Sequence, residues 1–171
     1  AQLYHMGVIA QVRQLVKMPG GVIRVMVEVQ DKGELMNFDS QEPALMGEIG
    51  PVQPVLDVDG IAAEAMLRVL KDKVGEYGKQ NSKFSKEVLP SLLAVSDLEE
   101  LMLQIAVQLP WDYLVRQNYL EAQSVSAQYE VLVGSLVNEV EVSRIRREFQ
   151  EKVRACVDRN QKEYILREQM K

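Results

Sequence analysis

The stretch that decides the fold is Lys17-Met18-Pro19-Gly20-Gly21-Val22-Ile23-Arg24-Val25-Met26-Val27-Glu28. It places a Pro-Gly-Gly turn directly before a run in which every second residue is aliphatic. A similar alternation precedes the turn. The aliphatic positions of the two runs are Val8, Ala10 and Val12, then Ile23, Val25, Val27 and Val29. Period-two alternation on both sides of a glycine turn is typical of paired antiparallel strands, so the chain is predicted to begin with a β-hairpin.

The hairpin is predicted to belong to a small β-lobe over residues 1–56. Asp31-Lys32-Gly33 is predicted to break the second strand, and residues 37–43 have the composition of a loop. A short strand could form over residues 44–49. The Gly/Pro-rich stretch 50–54 is then predicted to interrupt regular secondary structure and to end the lobe.

Apolar residues recur at steps of three and four from about Gly60 onward, which predicts helices and makes the fold class α+β. Gly75 and Gly78 are predicted to fray the end of the first helix, before a polar loop over 79–83. Ser96 and Glu99 have the spacing of a capping box. The predicted helices cover 60–77, 86–94, 96–109 and 112–122, with a fifth that starts at Ser124 or Ser126. Together they form a helical bundle over residues 57–140.

The end of the chain, 141–171, is predicted to be one long connecting helix. Residues 161–171 are helical in composition but carry no Gly, Asn or Pro stop signal. An apolar stripe thins beyond Val157, so we expect the far end to project. The alternative is that the stripe packs on the bundle, with its cysteine as a small buried hydrophobe. The stripe consists of Ile145, Phe149, Val153 and Cys156.

Composition excludes several classes of protein. The single cysteine, Cys156, cannot form an internal disulfide, and with the single histidine, His5, it cannot supply the four ligands of a structural zinc site. No apolar run approaches the ~18 residues of a membrane helix, so we expect a soluble protein without a membrane partner. The lone cysteine suits the reducing cytoplasm, where we expect the protein to be located.

The net charge of −5 is unevenly distributed. Nine basic and five acidic residues lie from Arg144 onward, which leaves eleven basic and twenty acidic residues before it. The tail is best interpreted as a solvated helix laced with i,i+4 ion pairs. A nucleic-acid-binding patch is the alternative, but acids interrupt the basic residues and few aromatics accompany them.

No motif predicts catalysis or cofactor binding within these residues. Gly75-Glu-Tyr-Gly78-Lys79-Gln80 has two residues between its glycines where a phosphate loop has four, and Gln80 stands where Ser or Thr would bind Mg²⁺. Ser82/Lys83 and Ser85/Lys86 are merely adjacent in sequence, which does not give a nucleophile and its base the required geometry. Asp57 and Asp59 fit a turn and a helix N-cap. We therefore predict no catalytic, cofactor-binding or metal-binding residue here.

Both ends of the chain resemble the Lon family of ATP-dependent proteases. Residues 161–171 resemble the segment that leads into the ATPase domain of that family, and 7–12 with 17–28 resemble its N-terminal strands and their Pro-Gly turn. Three features differ. Glu28 is followed by 29–32 in place of a Gly-Leu-x-Arg stretch, the family's earliest strands are absent, and the fifth helix starts with a serine and Gln128 in place of an acidic cap and an arginine.

The resemblance implies the N-terminal substrate-recognition region of a homohexameric serine endopeptidase that degrades misfolded and regulatory proteins. It implies a small, incomplete PUA-like β-lobe, and ATPase and Ser-Lys protease modules beyond Lys171 that would use ATP and Mg²⁺. Unfolded or tagged proteins would be the partners. The alternative is a stand-alone protein-interaction or nucleic-acid-binding domain, which the acidic body disfavours.

Two methionines are the candidate substrate contacts, because flexible thioethers suit promiscuous apolar binding. They are Met18 at the turn and Met36 in the predicted loop. In the connecting helix, the candidate linker residues are Tyr164, Leu166 and Met170.

Overall fold

The computed structural model describes residues 3–40 and 42–170. In chain order the elements are β1 (Met6–Lys17), β2 (Ile23–Ser40), β3 (Met46–Pro51), α1 (Gly60–Gln80), α2 (Ser82–Glu87), α3 (Leu89–Ala94), α4 (Leu98–Gln108), α5 (Tyr113–Glu121) and α6 (Val125–Gln169). They form two compact units. The sheet unit comprises residues up to Val58 with Pro110–Val131, and the helical unit comprises Asp59–Leu109 with the residues from Leu132 onward. The α+β class is confirmed; the predicted division into 1–56, 57–140 and 141–171 remains a prediction.

The predicted hairpin is confirmed. β1 and β2 pair in antiparallel register from Met6 opposite Glu34 to Lys17 opposite Ile23. At the turn, Gly20 and Gly21 have φ of 83° and 79°, a left-handed conformation that glycine adopts without a steric penalty. The two glycines therefore fix where the chain reverses.

The predicted break at Asp31-Lys32-Gly33 is wrong, because β2 continues through it to Ser40 and pairs with β3. The register shifts by one residue between Ala10 opposite Val29 and Ile9 opposite Asp31, so Gln30 forms a bulge that absorbs the irregularity. Gly33 is needed here for space: a Cβ would lie 2.6 Å from Cγ2 of Ile49. The loop predicted over 37–43 is thus strand as far as Ser40.

Helix α5 and two short backbone pairings complete the sheet unit. α5 lies beside the start of β1, where Nε2 of Gln117 donates to the carbonyl of Met6 at 2.9 Å. Val55 forms an isolated parallel bridge with Ser124: its N–H donates to the Gln123 carbonyl at 2.8 Å, and its carbonyl accepts from the Val125 N–H at 3.1 Å. These bonds hold the backbone on both sides of Ser124, where α6 begins.

The core of the helical unit is built from side chains spaced three or four residues apart on α1, α4 and α6. Such spacing places them on one face of each helix. Tyr77 and Phe84 add an edge-to-face ring contact with centroids 4.9 Å apart. The largest fully buried side chains of this unit are Leu70, Val74, Leu92, Leu101, Met102, Ile105, Leu109, Leu132 and Leu136.

The predicted helix ends differ from the observed ones. α1 runs through Gly75 and Gly78 to Gln80, since a glycine within a long helix costs only about 1 kcal/mol. The polar loop predicted over 79–83 is therefore wrong. Asn81 alone separates α1 from α2, and its side chain accepts from the N–H of Phe84 at 3.2 Å. The helix predicted over 86–94 is divided at Val88, which follows α2 and is the N-cap of α3.

The cap of α4 lies one residue later than predicted. Asp97, not Ser96, accepts the backbone N–H of Glu100 at 2.9 Å. Replacement Asp97→Ala should lower the free energy of unfolding by about 1 kcal/mol, because this N–H loses its partner. Urea denaturation checks this, with Ser96→Ala as the matched control that should change little. An equal loss in both variants would contradict the assignment of the cap to Asp97.

The fifth helix and the connecting helix, predicted as two elements, are one. α6 runs for 45 residues from Val125 to Gln169 without a break near Glu141. Ser124 caps it, as its Oγ accepts from the N–H of Ala127 at 3.2 Å. No helix among the described residues is both long and apolar enough to cross a membrane.

Candidate functional site

The outer part of the hairpin has one almost wholly apolar face. Across the two strands, Ala10 lies opposite Val29, Val12 opposite Val27, and Leu15 opposite Val25. A bulge at Arg13 keeps the apolar residues of β1 in phase with those of β2. We call this set the apolar hairpin face: Ala10, Val12, Leu15, Ile23, Val25, Val27 and Val29.

This face is open to solvent. Apart from Ala10, which is also exposed, its members keep between 45% and 59% of their side-chain surface accessible. It is bounded by Lys17 at the tip and by Lys32 opposite Val8, where burial lowers the pKa of the lysine. Contiguous exposed apolar surface of this kind is typical of binding sites.

The opposite face of the same strands is mixed: polar and charged side chains lie there among Ile9, Val16 and Met26. Arg13 and Glu28 form an ion pair across it, and Nε2 of Gln30 donates to Oε1 of Gln11 at 3.2 Å. Such a difference between the two faces is typical of antiparallel strands that bury one side. The alternation that predicts the hairpin thus also creates this exposed apolar face, whose exposure the sequence alone does not show.

The two candidate methionines do not form one site. Met18 lies at the hairpin turn, where its N–H donates to the Val22 carbonyl at 2.7 Å. Met36 lies in β2 and not in a loop, thirteen residues beyond Ile23, which at ~3.3 Å per strand residue corresponds to at most roughly 40 Å along the strand. Both side chains are exposed. Their role as substrate contacts remains a prediction.

The apolar residues of the connecting helix are exposed as well. Every residue from Arg144 to Met170 is exposed, including the candidate linker residues Tyr164, Leu166 and Met170. The alternative in which the stripe packs on the bundle is wrong, and so is the interpretation of Cys156 as a buried hydrophobe. Exposure of the helix does not begin where the apolar stripe thins beyond Val157, because the side chains of the stripe before Val157 are exposed as well.

Asp57 and Asp59 are both helix-capping residues. Asp59 is the N-cap of α1, and its Oδ1 accepts from the N–H of Ala62 at 2.7 Å. Asp57 accepts from both the hydroxyl and the N–H of Ser126, in the first turn of α6. The Ser126 hydroxyl, followed by its N–H, lowers the pKa of the Asp57 carboxyl. The hydrogen bonds of this cluster satisfy the first turn of α6.

The lowered pKa predicts an acid dependence of stability. A carboxyl whose pKa is lower in the folded state stabilises the fold above its unfolded pKa, near 3.8, and loses this contribution as the pH falls through the folded value. Asp57→Asn should therefore lower the urea midpoint at pH 7, and the difference from the unsubstituted chain should vanish in acid. A difference that does not change with pH would contradict this role.

One cleft of the sheet unit carries polar groups. It has a volume of about 490 Å³ and is lined by residues 3–6 together with Glu34, Glu121 and Gln123. Among the described residues no group of three or more His, Cys, Asp or Glu side chains could hold a metal ion. The stretch Gly75–Gln80 lies within α1, and the Ser-Lys neighbours at 82–86 lie in α2.

Comparisons with known proteins agree with this architecture. Residues 1–138 match the family model described as the ATP-dependent protease La (LON) substrate-binding domain. The chain is 36% identical over 170 residues to a Lon protease of Lachnoclostridium phytofermentans and 35% identical over 170 residues to one of Heliobacterium modesticaldum. Each match covers 99% of this chain but only 21% of the relative, so the chain spans about a fifth of their length.

A solved structure has the same fold. The N-terminal domain of Mycobacterium avium complex Lon protease superposes with a TM-score of 0.61 at 18% sequence identity. The match covers 80% of this chain and 72% of that one.

Proposed function

Because the chain belongs to the family of Lon substrate-binding domains, we propose that it binds unfolded or tagged proteins and presents them to an ATP-dependent protease. The observation that carries this proposal is the exposed apolar hairpin face. Folded proteins bury such side chains, so a surface of this kind distinguishes unfolded from folded chains. The family membership favours this function over a nucleic-acid-binding domain.

The wider activity is proposed on the strength of the relatives. The complete protein is proposed to be a cytoplasmic homohexameric serine endopeptidase of protein quality control, with ATP and Mg²⁺ at an ATPase module and a Ser-Lys dyad in a protease module. α6, with Tyr164 and Leu166 near its end and Met170 just beyond it, would connect the present residues to that ATPase module. Its exposed side chains from Arg144 onward leave it free to meet other domains or subunits.

Binding of a permanently unfolded protein tests the proposal. A reduced, carboxymethylated model protein should bind the 171-residue chain, whereas its native, disulfide-bonded form should not. Because apolar contacts dominate, the affinity should change little between low and moderate salt. Double-stranded DNA or RNA serves as the competing ligand. Binding only to nucleic acid, with an affinity that falls steeply with salt, would overturn the proposal.

A further inference from the structure

We draw no further inference here: the strongest candidate, the exposed apolar stripe of α6 formed by Ile145, Phe149, Val153 and Cys156, carries nothing because nothing in the structure shows what covers it.

Discussion

Leu101→Ala should lower the free energy of unfolding by about 2–5 kcal/mol, the largest effect on stability that we expect from a single substitution. Leu101 lies on α4 with none of its surface accessible. Its removal costs the transfer energy of the buried side chain and leaves a cavity that its neighbours in the helical unit cannot fill. Urea denaturation monitored by circular dichroism measures the change.

Leu103 provides a matched control on the same helix. Its side chain is 61% exposed, so Leu103→Ala alters the same residue type in α4 without creating a cavity. The free energy of unfolding should then change by no more than about 0.5 kcal/mol. Comparable losses for the two variants would show that the face of α4 assigned to the core is wrong.

Val27→Lys should weaken the binding of a carboxymethylated protein at least about tenfold, because a charge replaces a central side chain of the apolar hairpin face. Val27 is half exposed, opposite Val12. A lysine there can be solvated in the free chain, so the fold should persist. When substrate covers the face, the ammonium group loses water without gaining a partner. Fluorescence anisotropy of a labelled unfolded protein measures the affinity.

Met26→Lys is the control for Val27→Lys. Met26 is the preceding strand residue, is 60% exposed and lies on the opposite face of the hairpin, beside Gln14. The two variants have the same net charge and nearly the same position in sequence, so only the face differs. Met26→Lys should bind like the unsubstituted chain. Equal weakening by both would mean that general electrostatic repulsion, rather than the apolar hairpin face, controls binding.

The elements that local sequence determines were predicted well. The hairpin followed from alternation around Gly20 and Gly21, because period-two patterning and a glycine turn are both local signals. The predictions failed where packing decides. The composition of Asp31-Lys32-Gly33 predicts a strand break, yet β2 continues through it, and the close approach of Ile49 of β3 leaves no room for a Cβ at Gly33. The one-residue error at Ser96 shows the usual ambiguity between neighbouring capping residues.

The candidate site was predictable only in part. An alternating strand normally has one side buried, so the pattern of Val25 and Val27 predicts a strand without showing that these side chains are exposed. Their exposure depends on which other elements reach the hairpin, and this is a property of the tertiary fold. Likewise, the spacing of Phe149 and Cys156 on α6 would suit a buried stripe, but no element of the helical unit covers them.

Amide hydrogen exchange of the 171-residue chain, with and without saturating carboxymethylated protein, tests most directly whether unfolded substrates bind through the apolar hairpin face. We predict slower exchange on binding at residues 8–12 and 23–29, and unchanged exchange in α4, whose amides lie in the core of the helical unit. Protection confined to the helices, or binding that leaves residues 8–29 unchanged, would contradict this account.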